Sequence, residues 1–240
     1  MGRLSLVERV GPGKLTRRVA RPSTEGYNAA IAKSDIINVA QHVGTDDATF
    51  TEVLREAVET AERTGVRFLI LGGLASSVVG RPRWTHDIDL LVRPDDAREM
   101  LAAFRAGGFD TEETDPIWIY KAFKRDVMVD LIFMITGGIY LDQEMEDHAI
   151  AGDYQGIRIR IPSAEDQVVI KAIVHREETS RHWFDALSIL GRTELDWEYL
   201  LHRSRLGARR MLALLIYAQS SDILVPTWVI HRLYEEVYRQ

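Results

Sequence analysis

Two glycines and, fourteen residues later, two aspartates inside an apolar run constrain this chain more than any other feature. The stretch from Gly72 to Val92 reads GGLASSVVGRPRWTHDIDLLV. Buried strands rarely carry charge. Residues i and i+2 of a strand face the same side, so Asp87 and Asp89 project together while Ile88 turns to the opposite, buried face. Two carboxylates held side by side repel each other, and a cation between them relieves that repulsion. Hard divalent ions such as Mg²⁺ or Mn²⁺ take carboxylate oxygens together with substrate phosphates. A third acid on a neighbouring strand would complete a two-metal site. Asp130, alone among apolar residues in VMVDLIF, is the first candidate, and Asp126 at the start of that strand is the alternative.

The glycines add a second half. LILGGLASS reads as strand, glycine turn and helix start. Gly72 and Gly73 allow backbone N–H groups to approach a phosphate, with Ser76 and Ser77 as further hydroxyl donors. A phosphate cradle followed by paired carboxylates points to a nucleoside triphosphate with Mg²⁺. GPGK at residues 11–14 lacks the spacing of a phosphate loop and reads as a turn.

The rest of the chain frames this centre. Residues 1–45 show little periodicity and read as an N-terminal arm with a short helix near Ala29–Gln41. Residues 46–162 alternate helical and strand patterns: a helix ending near Gly65, strands at VRFLILGG and HDIDLLV, a helix between Pro94 and Gly107, and strands IWIYKAFKR, DVMVDLIFMI and YQGIRIRIPS. TGGIYLDQEMEDHAIAGD reads as a loop with one helical turn. Residues 163–240 read as helical throughout, opened by a Ser163 cap. The expected architecture is α/β (α+β): a mixed sheet core flanked by helices, with a helical C-terminal part.

Composition excludes several classes. The chain has no cysteine, so disulfides and thiolate–zinc sites are out, and a cytoplasmic location fits. No apolar run reaches membrane-spanning length. A formal net charge of −6 makes the whole surface a poor match for nucleic acid. Two local basic runs stand apart, residues 1–21 and the group Arg203, Arg205, Arg209 and Arg210. Each is either a polyanion contact or a solvated face.

Gly72–Gly73, the run Arg83-x-Thr85-x-Asp87-Ile88-Asp89 and the later strand Asp130 resemble the nucleotidyltransferase-fold superfamily, and within it the AbiEii-like branch of toxin–antitoxin systems. The resemblance spans about residues 66–190. That branch carries a lysine on a helix after the core, matched here by Lys171, and then a Lys-Asp-x-x-Asp-Leu stretch. RHWFDAL supplies Asp185, with Arg181 and His182 in place of the Lys and Asp. The resemblance implies transfer of a nucleoside monophosphate from an NTP to an acceptor hydroxyl, with pyrophosphate released. Asp87, Asp89 and Asp130 would then bind the metals. Lys171 would pair with phosphate, Arg83 would touch phosphate or orient its loop, and Thr85 would bond the backbone beside the metal strand. Asp185 would orient Lys171 or the acceptor. The acceptor is left open between tRNA or a protein, with an antitoxin partner, and an aminoglycoside or lincosamide antibiotic. A non-catalytic binding protein that keeps the fold is the third reading.

Other residues read as structural. His175 and His182, seven apart, read as ordinary exposed histidines rather than a metal pair. His86 cannot easily share a ligand with Asp87, because adjacent strand residues point opposite ways. Trp118 and Tyr120 read as a packing pair on one strand face. Trp228, Tyr234 and Tyr238 read as core or dimer packing.

Overall fold

A computed structural model describes residues 47–179 and 181–238. The expected N-terminal arm, its short helix and the basic run 1–21 lie outside the described residues. Helix α1 (Asp47–Thr64) buries Phe50, Val53, Leu54, Ala57, Val58 and Ala61, which recur every three or four residues along one face. It ends at Gly65, whose φ of +74° is the left-handed exit that glycine makes without strain. Strand β1 (Phe68–Ile70) leads directly into helix α2 (Gly72–Val79), and strand β2 (Asp87–Val92) follows the loop after it. A 3-10 turn with Pro94 in its first position opens helix α3 (Ala97–Ala106).

Three strands come next: β3 (Asp110–Asp115), β4 (Ile119–Lys124) and β5 (Val127–Ile132). The five strands form one sheet in the order β1-β2-β5-β4-β3, in which only β2 and β5 run parallel. Arg125 and Asp126 both adopt positive φ and form the two-residue turn between β4 and β5. That turn pairs Lys124 with Val127 and, three residues back, Lys121 with Asp130. Beyond the sheet lie the short helix α4 (Gln143–Asp147) and a separate hairpin of β6 (Ile150–Tyr154) and β7 (Ile157–Ile161). Helices α5 (Ala164–Val174), α6 (Arg181–Arg192), α7 (Trp197–Ser204), α8 (Ala208–Ser220) and α9 (Thr227–Tyr238) complete the chain.

The sheet is buried on both sides. Ile88, Leu90, Val92, Val127, Val129 and Leu131 pack with α1 and α3. Leu69, Leu71 and Leu91 join the core formed by α5 through α9. Helix α5 is buried at every position from Ala164 to Ile173. A helix buried all round is normally apolar, so the four long polar side chains of α5 need partners, and each has one. Glu165 accepts from the Asp196 N–H, Gln167 donates to the Pro162 carbonyl, Asp166 meets Arg203, and Lys171 meets Asp185.

The structure differs from the sequence reading at several points. Strand β3 lies between the expected helix and the expected strand IWIYKAFKR, where no element is assigned from sequence, and β6 lies where a loop was expected. The first reads DTEETD, a charged edge strand with no apolar alternation, and charge on an edge discourages pairing with other chains. Trp118 and Tyr120 do not pack together: Trp118 precedes β4 and donates to Asp115, while Tyr120 is buried against Phe133. Trp228, Tyr234 and Tyr238 are exposed on α9, which rules out the core alternative and leaves that of dimer packing.

The second basic run is only in part a cationic face: Arg203 turns inward, while Arg205, Arg209 and Arg210 are exposed. Arg203 is 1% exposed and donates to Asp166 at 2.7 Å and to Asp142 at 2.8 Å. Tyr199 donates its hydroxyl to the other Asp166 oxygen. Arg205 pairs with Glu144, and Arg210 donates to the His175 carbonyl. Burial pushes the Asp166 carboxyl up, opposed by the Arg203 charge. Arg203→Ala strands Asp166 without its partner, so the expected loss is about 3–5 kcal/mol in urea unfolding. The Arg203→Met, Asp166→Leu double variant removes both charges and is expected to lose much less.

Candidate functional site

The parallel register of β2 and β5 sets the centre. Asp89 pairs with Asp130, and Asp130 pairs in turn with Lys121 on β4. Side chains in register on neighbouring strands share a face. Asp87 joins them as the i−2 neighbour of Asp89. This is the face of Leu91, away from α1 and α3.

Each acid has a different environment. Asp87 accepts from the Thr85 hydroxyl at 2.7 Å, so Thr85 bonds the carboxylate rather than the backbone. Asp130 accepts from Lys121 Nζ at 2.6 Å. The Asp89 carboxylate accepts no side-chain hydrogen bond among the described residues, whereas its backbone carbonyl accepts from the Leu71 N–H at 2.8 Å. Burial, with the charges of Asp87 and Asp130, pushes its carboxyl up to about 7, against the opposing pull of Lys171 and Arg83. Asp126 sits in the exposed β4–β5 turn, on the rim rather than in the sheet.

The glycines make room for these side chains. A Cβ on Gly72 would lie 1.8 Å from Asp89 Oδ2, and one on Gly73 would lie 2.6 Å from Thr85 Oγ1 and 3.0 Å from an Arg83 guanidinium nitrogen. Gly72 also has φ of +62°. Ser76 is buried and donates to the Gly72 carbonyl, and Ser77 donates to that of Gly73. Both hydroxyl hydrogens are thus spent on holding the turn.

A second charged group comes from the helices. Asp185 on α6 is 3% exposed and lies between two cations. Lys171 donates to one of its oxygens at 2.9 Å, and Arg83 Nε lies 3.1 and 3.2 Å from the two. Burial draws the Lys171 amine below its usual range, and Asp185 opposes this. His182 is half-buried rather than exposed, and burial with the positive charge of Lys171 pushes it down to about 4, so its ring is neutral at pH 7. His175 stacks on Trp183.

Sequence reasoning passed over Lys121. The signal was available, because a two-residue turn at Arg125–Asp126 fixes Lys121 opposite Asp130 by counting alone.

The donor set suits a hard cation: three carboxylates with oxygen donors only, one of them held against ionisation by burial and by the other two. As they stand, no three acidic or histidine side chains among the described residues converge closely enough to hold an ion. Asp87 and Asp89 fit a divalent ion, whereas Asp130 is turned to Lys121.

The signature of a family described as uncharacterised nucleotidyltransferase matches residues 33–220. Among solved structures, the antibiotic-resistance factor ANT(2'')-Ia is similar at 17% identity and a TM-score of 0.50, covering 73% of this chain and 100% of that one. A lincomycin-bound lincosamide antibiotic adenylyltransferase is similar at 15% identity and a TM-score of 0.44, covering 62% of this chain and 99% of that one. No curated protein matches.

Two predictions follow from the environment of Asp89. The folded chain holds this proton more tightly than the unfolded one, whose carboxyl titrates near 3.8. Stability present below that value is therefore lost as pH rises through about 7. Without metal, Asp89→Asn is expected to flatten this dependence and to be the more stable protein at pH 8, by roughly 2 kcal/mol after allowing for solvent screening. Thermal melts across pH 4–8 read both effects. Gly72→Ala is expected to cost about 1–3 kcal/mol more than Gly65→Ala. Both glycines have positive φ, but only the Gly72 methyl meets a side chain.

Proposed function

Because the chain belongs to the nucleotidyltransferase family whose signature spans residues 33–220, we propose that it moves a nucleoside monophosphate from an NTP to an acceptor hydroxyl. The acceptor oxygen bonds the α-phosphorus, the bond from that phosphorus to the bridging oxygen breaks, and pyrophosphate leaves. The observation that carries this reading is the register of Asp89 with Asp130, beside Asp87 and within reach of the Lys171 and Arg83 charges.

Asp87 and Asp89 would hold a divalent cation, Mg²⁺ or Mn²⁺, whose chemistry there is to draw charge from triphosphate oxygens. Thr85 fixes the rotamer of Asp87 through its hydroxyl. Lys171 supplies a compact positive charge and Arg83 a planar one, both suited to phosphate oxygens. Asp185 holds the two cations in place before substrate arrives. This preorganisation favours charge developing in the transition state. Asp130 would take the proton from the acceptor hydroxyl. Gly72 and Gly73 contribute by leaving space for Asp89, Thr85 and Arg83.

For the acceptor, the motif run from Gly72 to Asp89, with Lys171 and Asp185, supports the AbiEii-like reading, in which the target is tRNA or a protein and an antitoxin is a partner. Arg203, Arg205 and Arg210 are engaged within the fold. Of this run, Arg203 is thus lost to an RNA acceptor, while Arg205, Arg209 and Arg210 stay exposed. A cationic antibiotic is the second reading, favoured by the net charge of −6 and by the fold shared with an antibiotic-resistance factor. The test is label transfer from each of the four α-³²P-labelled NTPs, with total tRNA, cell protein or aminoglycosides as acceptor. One acceptor class is expected to be labelled, with activity falling at least 100-fold in Asp87→Asn and Asp89→Asn. No label with any acceptor, together with RNA binding that survives Asp87→Ala, would favour a non-catalytic binding protein.

A further inference from the structure

We infer that Lys121 takes the place of a second metal ion, so that the site works with one divalent cation and one resident ammonium. This rests on the metal reading of Asp87 and Asp89 given above.

The geometry is specific. Lys121, Asp130 and Asp89 form one row across β4, β5 and β2, each in register with the next. Lys121 Nζ lies 2.6 Å from Asp130 Oδ1 and 3.2 Å from Met128 Sδ. Met128 precedes Asp130 by two residues on the same strand face, so the lysine is held from two sides. The Lys121 side chain is 23% exposed and that of Asp130 is 12% exposed. The pair is therefore partly buried and not out in solvent.

Charge and space agree. Mg²⁺ sits about 2.0–2.1 Å from its carboxylate oxygens and needs near-ideal octahedral geometry. An ion on Asp130 would lie against the ammonium and be repelled by it. Without substrate, one divalent ion and Lys121 together balance the charge of the three carboxylates. The side-chain arrangement matches this count, since no trio of acids among the described residues converges on one point. Asp130 is thereby kept off metal, with its proton-accepting oxygens oriented by a group that belongs to the chain. Lys121 is a positioning residue in this scheme.

The test counts bound Mn²⁺ by electron paramagnetic resonance, in the protein alone and with the α,β-methylene analogues of the four NTPs. Wild type and Lys121→Arg are expected to hold the same number of ions, and Lys121→Gln one more. Far-ultraviolet circular dichroism establishes that each variant is folded, and Lys121→Met serves in place of Lys121→Gln if the latter is not. Equal counts in wild type and the neutral variant would overturn the inference, as would two ions bound to wild type with or without nucleotide. In both cases the nucleotidyltransferase reading stands. No Mn²⁺ bound to any variant in any sample would instead remove the metal reading of Asp87 and Asp89, and this inference with it.

Discussion

Repulsion among three carboxylates on one sheet face is the constraint on which the rest of this structure depends. Asp87, Asp89 and Asp130 are brought together by the parallel pairing of β2 with β5, the only parallel pair in the sheet. Each unusual local choice nearby answers that repulsion. Lys121 neutralises Asp130, Thr85 donates to Asp87, and Gly72 gives up its side chain so that Asp89 has space. Of the three carboxylates only that of Asp89 has no side-chain donor, and burial with the charges of Asp87 and Asp130 pushes it up to about 7. A fold that leaves one carboxylate without a side-chain donor has placed a local instability where a cation can relieve it. Such inconsistencies between local chemistry and stability tend to mark functional sites.

Much of this arrangement could be read in the sequence, and the limit has a physical origin. The side-chain period of a strand places Asp87 with Asp89, and capping and turn residues delimit most elements. Hairpin register is also local, because the turn fixes it, so Lys121 opposite Asp130 follows from counting. The pairing of Asp89 with Asp130 is different. It depends on how β2 and β5 meet across the intervening α3, β3 and β4, and no local rule sets that register. Strand β3 lacked an apolar signal because it is an exposed edge, and β6 belongs to a small hairpin outside the main sheet.

Burial of charge was the other part beyond reach. Arg203 stands in a run of arginines that looks like a cationic patch, yet it is among the most buried residues described. Its partner Asp166 lies thirty-seven positions earlier, on α5. Lys171 likewise looks like the solvated lysine of an amphipathic helix, and is buried against Asp185. In each case the partner sits on another helix, and charge alone does not say which member of a run turns inward. The exposed aromatics of α9 show the converse: helical spacing does not say which face has a neighbour.

These two buried ion pairs share one helix, and that sharing links the fold to the site. Asp166 and Lys171 lie five residues apart on α5, so they project from different sides of it. Asp166 ties α5 to Arg203 of α7, and through Arg203 to Asp142 at the start of α4. Lys171 ties α5 to Asp185 of α6, and through Asp185 to Arg83 on the loop that leads into β2. Buried ion pairs contribute little net stability, because desolvation offsets their attraction. They do fix position, since a displaced member leaves a partner buried and unpaired. The C-terminal helices are therefore held in a definite place against the sheet. The cations facing Asp89 are set by the same helix whose other end is anchored in the protein interior.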